Sequence, residues 1–307
     1  ALMAVVVMPA PVGGWNARDP LSAMPLGDAV IMLNMVSKGL YVEARAPWVD
    51  LTPSTYDRIH SLHPYYGTAS TKLLAGDYTA IKEISTGTSS TLGTGFTGDP
   101  WQSTAFNALL ILTGGGTAQS YNGTVLAALV TTGALAADLW GCNTYKGRVY
   151  YWKKNDDSFW YAAAGAYQGA LTEFPLDTQL SKGGYLVMMV SMTMDSGAGA
   201  DDLAAFVFST GEVLIYQGDD PAEASAWALV GKYMIPTPLG VRANIRIGAN
   251  AIVMTRRGYV NLNAIMRGET GPTGYMSDKI SDAIDQIVAT YNTDTPADDQ
   301  SDAVYCS

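Results

Sequence analysis

Cysteine and histidine are scarce in this chain, two of each among 307 residues, and charge is sparse. Two thiols, Cys142 and Cys306, cannot build a disulfide framework or a cysteine-based metal set. Both read as free, which fits an intracellular site of synthesis. Two histidines, with no G-x-S-x-G motif, leave little from which to assemble a hydrolytic triad. No stretch reaches the ~18 consecutive apolar residues of a spanning helix, so no stable membrane insertion is expected. The apolar opening Ala1–Ala10 lacks the basic segment of a secretion signal. It reads as an arm laid against a partner or an edge strand. Charged residues make up 15% of the chain, against about 25% in ordinary soluble domains. A surface so weakly charged suggests extensive contact with other protein. The net charge of −10 argues against gripping nucleic acid over the whole surface, because phosphate binding draws on Lys and Arg.

Apolar residues reach 48%, enough for a sizeable core, and 32 Gly with 18 Tyr suit turns and strands. The stretch Gly183–Gly218 is the most telling. Leu186, Met188, Val190, Met192 and Met194 share one parity, with Ser191 and Thr193 on the other. That alternation predicts a half-buried strand. After an Asp/Ser/Gly/Ala loop, the apolar runs Leu203–Phe208 and Val213–Tyr216 flank Ser209–Glu212. Strand, loop, strand, turn, strand is a β-meander.

The unit recurs. Apolar runs flank turns at Gly76-Asp77, Asn122-Gly123, Lys154–Asp157, Ser209–Glu212 and Arg256–Gly258. Turn positions 76, 123, 156, 211 and 258 lie 47, 33, 55 and 47 residues apart, near the roughly 40–50 residues of a propeller blade. The expected fold is all-β, a β-propeller-like array of antiparallel meanders, complete or incomplete. A β-sandwich with irregular loops gives much the same trace and stays open as the alternative.

Three segments are expected: 1–50, an N-terminal arm with the first strands; 51–267, the β core; and 268–307, a linker, a helix and an acidic tail. The helix is predicted over Ser277–Tyr291. Ile280, Ile284, Ile287, Val288 and Tyr291 fall at i, i+4, i+7, i+8 and i+11, one helical face. Ser277 suits the N-cap and Asp278 the positive helix end. A helix this short is marginal alone in water, so its apolar face needs a partner. Asn292–Ser307 is acidic and reads as a mobile tail. Pro11–Met24 is rich in Pro and Gly and cannot order itself. Its Trp15, Asn16 and Arg18 are therefore expected to be held by the fold or by a neighbouring subunit.

Several motifs read as structure. Gly93–Gly98 matches G-x-G-x-x-G, but it precedes Asp99-Pro100-Trp101 and no helix, so no cofactor is expected. Gly114–Thr117 has no Lys with which to hold phosphate. His60 and His63 lack an acidic or Cys partner nearby in sequence and suit packing better than metal. The Asp pairs at 156-157, 201-202, 219-220 and 298-299 fall in predicted turns or the tail, where Asp is favoured anyway. Asp195–Asp202 is the best calcium candidate, yet it has no Glu at the twelfth position of an EF-hand loop. The expectation is no catalytic, cofactor or metal site. Gly268–Gly274 has collagen spacing over two triplets only and reads as a linker.

Three stretches together resemble one family of short-tailed bacteriophage virion proteins. They are PVGGWNARDPLSAM at Pro11–Met24, Phe159–Leu186 with Phe206–Lys232, and Pro238–Leu262 followed by the helix start at Ser277. The family is that of tail hub or nozzle proteins, also called packaged-DNA stabilisation proteins. The resemblance implies a β-propeller core and a ring-shaped homo-oligomer, a hexamer, below the portal and adaptor. It also implies a channel for genomic DNA without sequence-specific binding, and no catalytic residues. The place of such a protein is the virion tail, after synthesis in the host bacterial cytoplasm. A negative or neutral lumen would let the polyanion slide. Family members continue into more β-rich sequence after the helix, whereas this chain stops at Ser307. That implies either a smaller ring or a second polypeptide completing the β core. The expected interface comprises Trp15, Asn16 and Arg18, the helix face Ile280, Ile284, Ile287 and Tyr291, and the hairpin Ala251–Leu262. Two other classes stay open: a glycan hydrolase using the Asp pairs, and a carbohydrate-binding module using Trp15, Trp48, Trp101, Trp152, Trp160 and Trp227.

Overall fold

The computed structural model describes residues 8–47, 59–68, 70–77, 79–85, 88–97, 100–195, 200–269 and 274–294. An arm comes first and carries one small ribbon, β1 (Met35–Ser37) with β2 (Val42–Ala44). Five sheets then follow in chain order and stand as the blades of a β-propeller. Blade 1 is β3 (Ile59–Tyr66), β4 (Thr71–Asp77), β5 (Ala80–Ser85) and β6 (Thr88–Thr94). Blade 2 is β7 (Gln102–Phe106), β8 (Leu109–Thr113), β9 (Gln119–Tyr121) and β10 (Leu126–Ala128). Blade 3 holds β11 (Thr131–Thr132), β12 (Leu139–Tyr145), β13 (Arg148–Lys153), β14 (Phe159–Ala162) and β15 (Gly169–Phe174). Its β11 pairs with β15 in parallel, and its other pairings are antiparallel. Blade 4 is β16 (Leu186–Asp195), β17 (Ala200–Phe208), β18 (Glu212–Gly218) and β19 (Trp227–Met234). Blade 5 has only β20 (Asn244–Ile247), β21 (Asn250–Thr255) and β22 (Gly258–Asn261). Where its fourth strand would stand, Tyr275 bridges Val260, and the Met276 N–H donates to Tyr259 O at 3.0 Å.

The sheets are therefore a propeller and not a sandwich. Successive meanders look alike in sequence in either fold. The arrangement around one axis decides, for β3, β7, β12, β16 and β20, one strand from each sheet, line a common cavity. Phe159 of blade 3 stacks on Phe206 of blade 4 at 4.7 Å, and within blade 4 Tyr216 stacks on Trp227 at 5.2 Å. Rings of this size bury large areas and favour such geometries.

Blade 4 corrects the half-buried reading of Leu186–Met194. Leu186–Val190, Leu203–Phe208 and Val213–Tyr216 are buried on both parities, because blade 4 has a neighbouring blade on each face. The Gly76-Asp77 turn is also displaced, since both residues belong to β4. The Ser/Thr-rich stretch 85–97 contains β6. Its polar residues are tolerated there because β6 is the outer edge of blade 1. The turns at Gly123, Gly211 and Gly258 stand as read, with φ of 94°, 85° and 114°.

Two helices follow the blades, α1 (Leu262–Met266) and α2 (Ser281–Asp294). The first was not foreseen. It is one turn long, and the Asn261 side chain caps it by accepting from the Asn263 N–H at 3.0 Å. A 3-10 turn, Asp278–Ile280, leads into α2. Ser277 does not cap it. The Ser277 hydroxyl instead accepts from the Tyr259 N–H of β22 at 2.9 Å. Nor does α2 swing away from the β core. Ile284 and Val288 are buried against Leu239 and Met254 of the same chain. Ile284 is thus a core residue, while Ile287, at the edge of the same face, is 45% exposed. The Tyr291 side chain, residues 270–273 of the linker, residues 295–307 of the tail and Ala1–Val7 of the arm lie outside the described residues.

Candidate functional site

The inner strand of each blade, β3, β7, β12, β16 and β20, lines a cavity of about 510 Å³ on the propeller axis. Five polar ties ring this axis, one at each seam between blades. His63 Nδ1 lies 2.8 Å from Ser103 Oγ. Gln102 Nε2 donates to Trp140 O at 3.2 Å, and Asn143 Nδ2 to Met189 O at 2.8 Å. Arg246 Nη1 donates to Ser191 Oγ at 3.3 Å, and Arg242 Nη1 to His60 O at 2.7 Å. A buried hydrogen bond to a charged donor contributes more than a neutral one, so the seam between blades 5 and 1 has a strong tie in Arg242.

Among the described residues lining this cavity there is no Asp or Glu, and the charged side chains are Arg242 and Arg246. Burial, with the Arg242 charge behind it, pushes His63 down to about 3. His63 is therefore a neutral, packed residue. His60 falls at a β-bulge between Ile59 and Ser61, whereas His63 is paired with Leu74 in the regular part of β3. The axial cavity has the volume of a small-molecule pocket, which typically spans about 300–1,000 Å³.

The second site was half-visible in sequence. Trp15 bridges Ala29, and its indole N–H donates to Val30 O at 3.0 Å. Asn16 is buried and donates to Asp19 Oδ2 at 2.9 Å and to Asp28 Oδ2 at 2.8 Å. Lys279 Nζ reaches Asp28 Oδ1 at 2.9 Å, and the Ala17 N–H donates to Lys279 O at 2.8 Å. The Arg18 guanidinium pairs with Asp19 and Asp278. Arg18, with Asn16, holds the Asp19 carboxyl down at about 2, and Lys279, with Asn16, lowers Asp28. The arm is thus clamped to the start of α2. Asn16 and Arg18 contact their own chain. What the sequence could not show is the arm's partner at the start of α2, Asp278, which lies 260 residues from Arg18.

The remaining candidates do not converge. Asp156 Oδ1 accepts from the Ser158 N–H, and Asp220 pairs with Arg148, each in a surface turn. Asp202 accepts from the Thr193 hydroxyl. The centre of the calcium candidate, residues 196–199, lies outside the described residues, as do Asp298-Asp299 and Cys306. Among the described residues no group of three or more His, Cys, Asp or Glu is placed to hold a metal. Trp101, Trp152, Trp160 and Trp227 are buried in the blades, which corrects their reading as sugar platforms. Trp15 is partly exposed, and Trp48 lies outside the described residues. Gly93 and Thr94 belong to β6, and the described chain beyond Gly95 leads to β7 and no helix. No described helix is long and apolar enough to cross a membrane.

No protein-family model matches this chain, and no curated protein matches its sequence. Solved structures do resemble it in part. The extracellular domain of the hybrid two-component system BT4673 from B. thetaiotaomicron has a TM-score of 0.44 at 11% identity, over 74% of this chain. The match spans only 28% of that protein's chain. BBS1N, solved in complex with ARL6DN, scores 0.45 at 14% identity over 72% of this chain and 69% of its own. The SapL1 lectin, solved with alpha methyl fucoside, scores 0.38 at 14% identity, over 65% of this chain and 74% of that one. All three scores are too low to carry an assignment of fold or function.

Proposed function

We propose that this chain is a structural subunit of a short phage tail, a hub or nozzle component that helps retain packaged DNA until ejection. The supporting observation is the arm. Large apolar side chains cluster on its surface between Met8 and Tyr41, and Leu26, Ile31, Leu33 and Leu40 are 73–92% exposed. Apolar side chains exposed in this number along one segment favour a protein contact. The clamp through Asn16, Asp28 and Lys279 holds this surface in place, so it is offered in a fixed geometry. The low charge content and the sequence resemblance point the same way. The hydrolase reading is less well supported, because no carboxylate lines the axial cavity.

The test is imaging of the purified protein, and of virions from a host expressing a tagged copy. The proposal expects rings of copies, about six, with the tag at the tail vertex. Absence of the tag from particles, or turnover of host polysaccharide by the purified chain, would overturn it.

A further inference from the structure

The axial cavity gathers positive charge and hydrogen-bond donors in a chain that is otherwise acidic. The sequence has 28 Asp and Glu against 18 Lys and Arg. Among the described residues lining the cavity, the charged ones are both arginines. Strand alternation brings one of them there: in β20, Asn244 and Arg246 share a parity and line the cavity, and Ile245 between them does not.

Arg246 is held without being neutralised. Its Nε donates to Gly248 O at 3.1 Å, and its Nη1 and Nη2 donate to the hydroxyls of Ser191 and Thr193 at 3.3 and 3.5 Å. These acceptors carry no charge, and a guanidinium has five N–H groups, so an oriented fork keeps donors to spare. Asn143 is left with a donor as well. Its Oδ1 accepts from the Thr144 N–H at 2.7 Å, and Nδ2 spends one of its two N–H groups on Met189 O at 2.8 Å. Trp152 also lines the cavity and is 2% exposed, and its indole N–H has no partner among the described residues. An indole nitrogen only donates, and a buried donor left unpaired costs free energy. The lining therefore has donors and positive charge in excess, which is the complement of an oxyanion. A neutral polar molecule would leave the Arg246 charge unanswered.

We propose that the axial cavity binds a small molecule bearing a carboxylate or phosphate group, with the oxyanion on the Arg246 guanidinium. The planar fork of a guanidinium matches either group in geometry and charge. The volume of about 510 Å³ suits a small molecule. Arg246 is exposed, so the oxyanion reaches it from solvent. The site stands apart from the tail assignment and does not depend on it.

Isothermal titration calorimetry of the full chain at low salt tests it, with inorganic phosphate and malonate as probes for the two oxyanions. Wild type is expected to bind at least one of them at a single site per chain, with a Kd below about 1 mM. Asn244→Asp places a carboxylate on the same face as Arg246 and should abolish binding. Arg246→Gln should weaken it roughly tenfold or more. Arg257→Gln removes the same charge from an exposed turn outside the cavity and should leave binding unchanged. All three positions are exposed, so circular dichroism should report an unchanged fold. No saturable binding of either probe by wild type would overturn the proposal. So would binding that survives Asn244→Asp and Arg246→Gln, or that falls equally with Arg257→Gln, since the anion would then sit elsewhere on the surface. Displacement of bound phosphate by a short DNA duplex would assign the donors to a nucleic-acid backbone and overturn the small-molecule reading.

Discussion

The Lys279 ammonium lies 2.9 Å from the Asp28 carboxylate and joins the start of the last helix to an arm residue 251 positions earlier. Asn16 donates to the same carboxylate, so one aspartate anchors both the arm turn and the helix entry. Replacing Asp28 by Asn removes the ion pair and should free the arm. Hydrogen exchange over residues 14–30 is expected to accelerate at least tenfold, with the melting of the blades little changed. Unaltered exchange would mean that the Trp15–Ala29 bridge alone holds the arm.

Acid should release the same clamp. Both Asp19 and Asp28 are lowered in the folded chain, Asp19 to about 2, by Arg18 and by Lys279 respectively, each with Asn16. A depressed carboxylate contributes its stability in full above its unfolded pKa, near 3.9. That contribution is lost as pH falls from about 4 through about 2. Trp15 emission in a variant whose buried tryptophans are replaced by Phe should shift in that window. A shift centred near pH 6 would assign it to another group.

His63 sets a second, higher window. It is held down to about 3 by burial and by Arg242, while the unfolded chain titrates near 6.5. The unfolded state therefore binds a proton that the folded state refuses, and stability should fall as pH drops from about 6.5 toward 3. His63→Gln should flatten the urea midpoint over that range relative to wild type. Parallel curves for the two proteins would show that His63 does not titrate differently on folding.

Ile284 and Ile287 lie three residues apart on α2 with opposite surroundings. Ile284 is buried with Leu239 and Met254, and Ile287 is half in solvent. Ile284→Ala should cost about 2–5 kcal/mol in urea denaturation, the range for a buried Ile. Ile287→Ala should stay within about 0.5 kcal/mol, as for most surface changes. Equal losses at the two positions would mean that Ile287 is also covered.

Gly211 turns the hairpin between β17 and β18 at φ 85°, and a Cβ there would meet Ile235 O at 2.1 Å. Gly211→Val combines left-handed strain with a backbone clash. It is expected to lower stability by more than the roughly 1–3 kcal/mol of strain alone. Gly95 also has positive φ but open space around it, so Gly95→Ala should cost less. Thermal melts of the two variants check the order.

Local chemistry determined much of this molecule. Turn glycines at 123, 211 and 258, strand-forming runs between them and the 3.6-residue spacing of the last helix each act within a few residues. The all-β class, the hairpins and α2 were legible for that reason. So was the need of Pro11–Met24 for outside support, since a Pro/Gly-rich segment has no ladder of its own. Tertiary structure decided the rest. A propeller and a sandwich share the same meanders, and only the placing of five sheets around one axis, closed by Arg242 on His60, separates them. Period-2 alternation could not show that blade 4 is buried on both faces, because its second cover comes from another sheet. The axial ring of His63, Gln102, Asn143, Arg242 and Arg246 has no sequence motif, for its members stand one per seam and meet only when the blades stand around the axis. Which face of α2 is core and which is free likewise depended on Leu239 and Met254, residues that helical spacing within α2 cannot see.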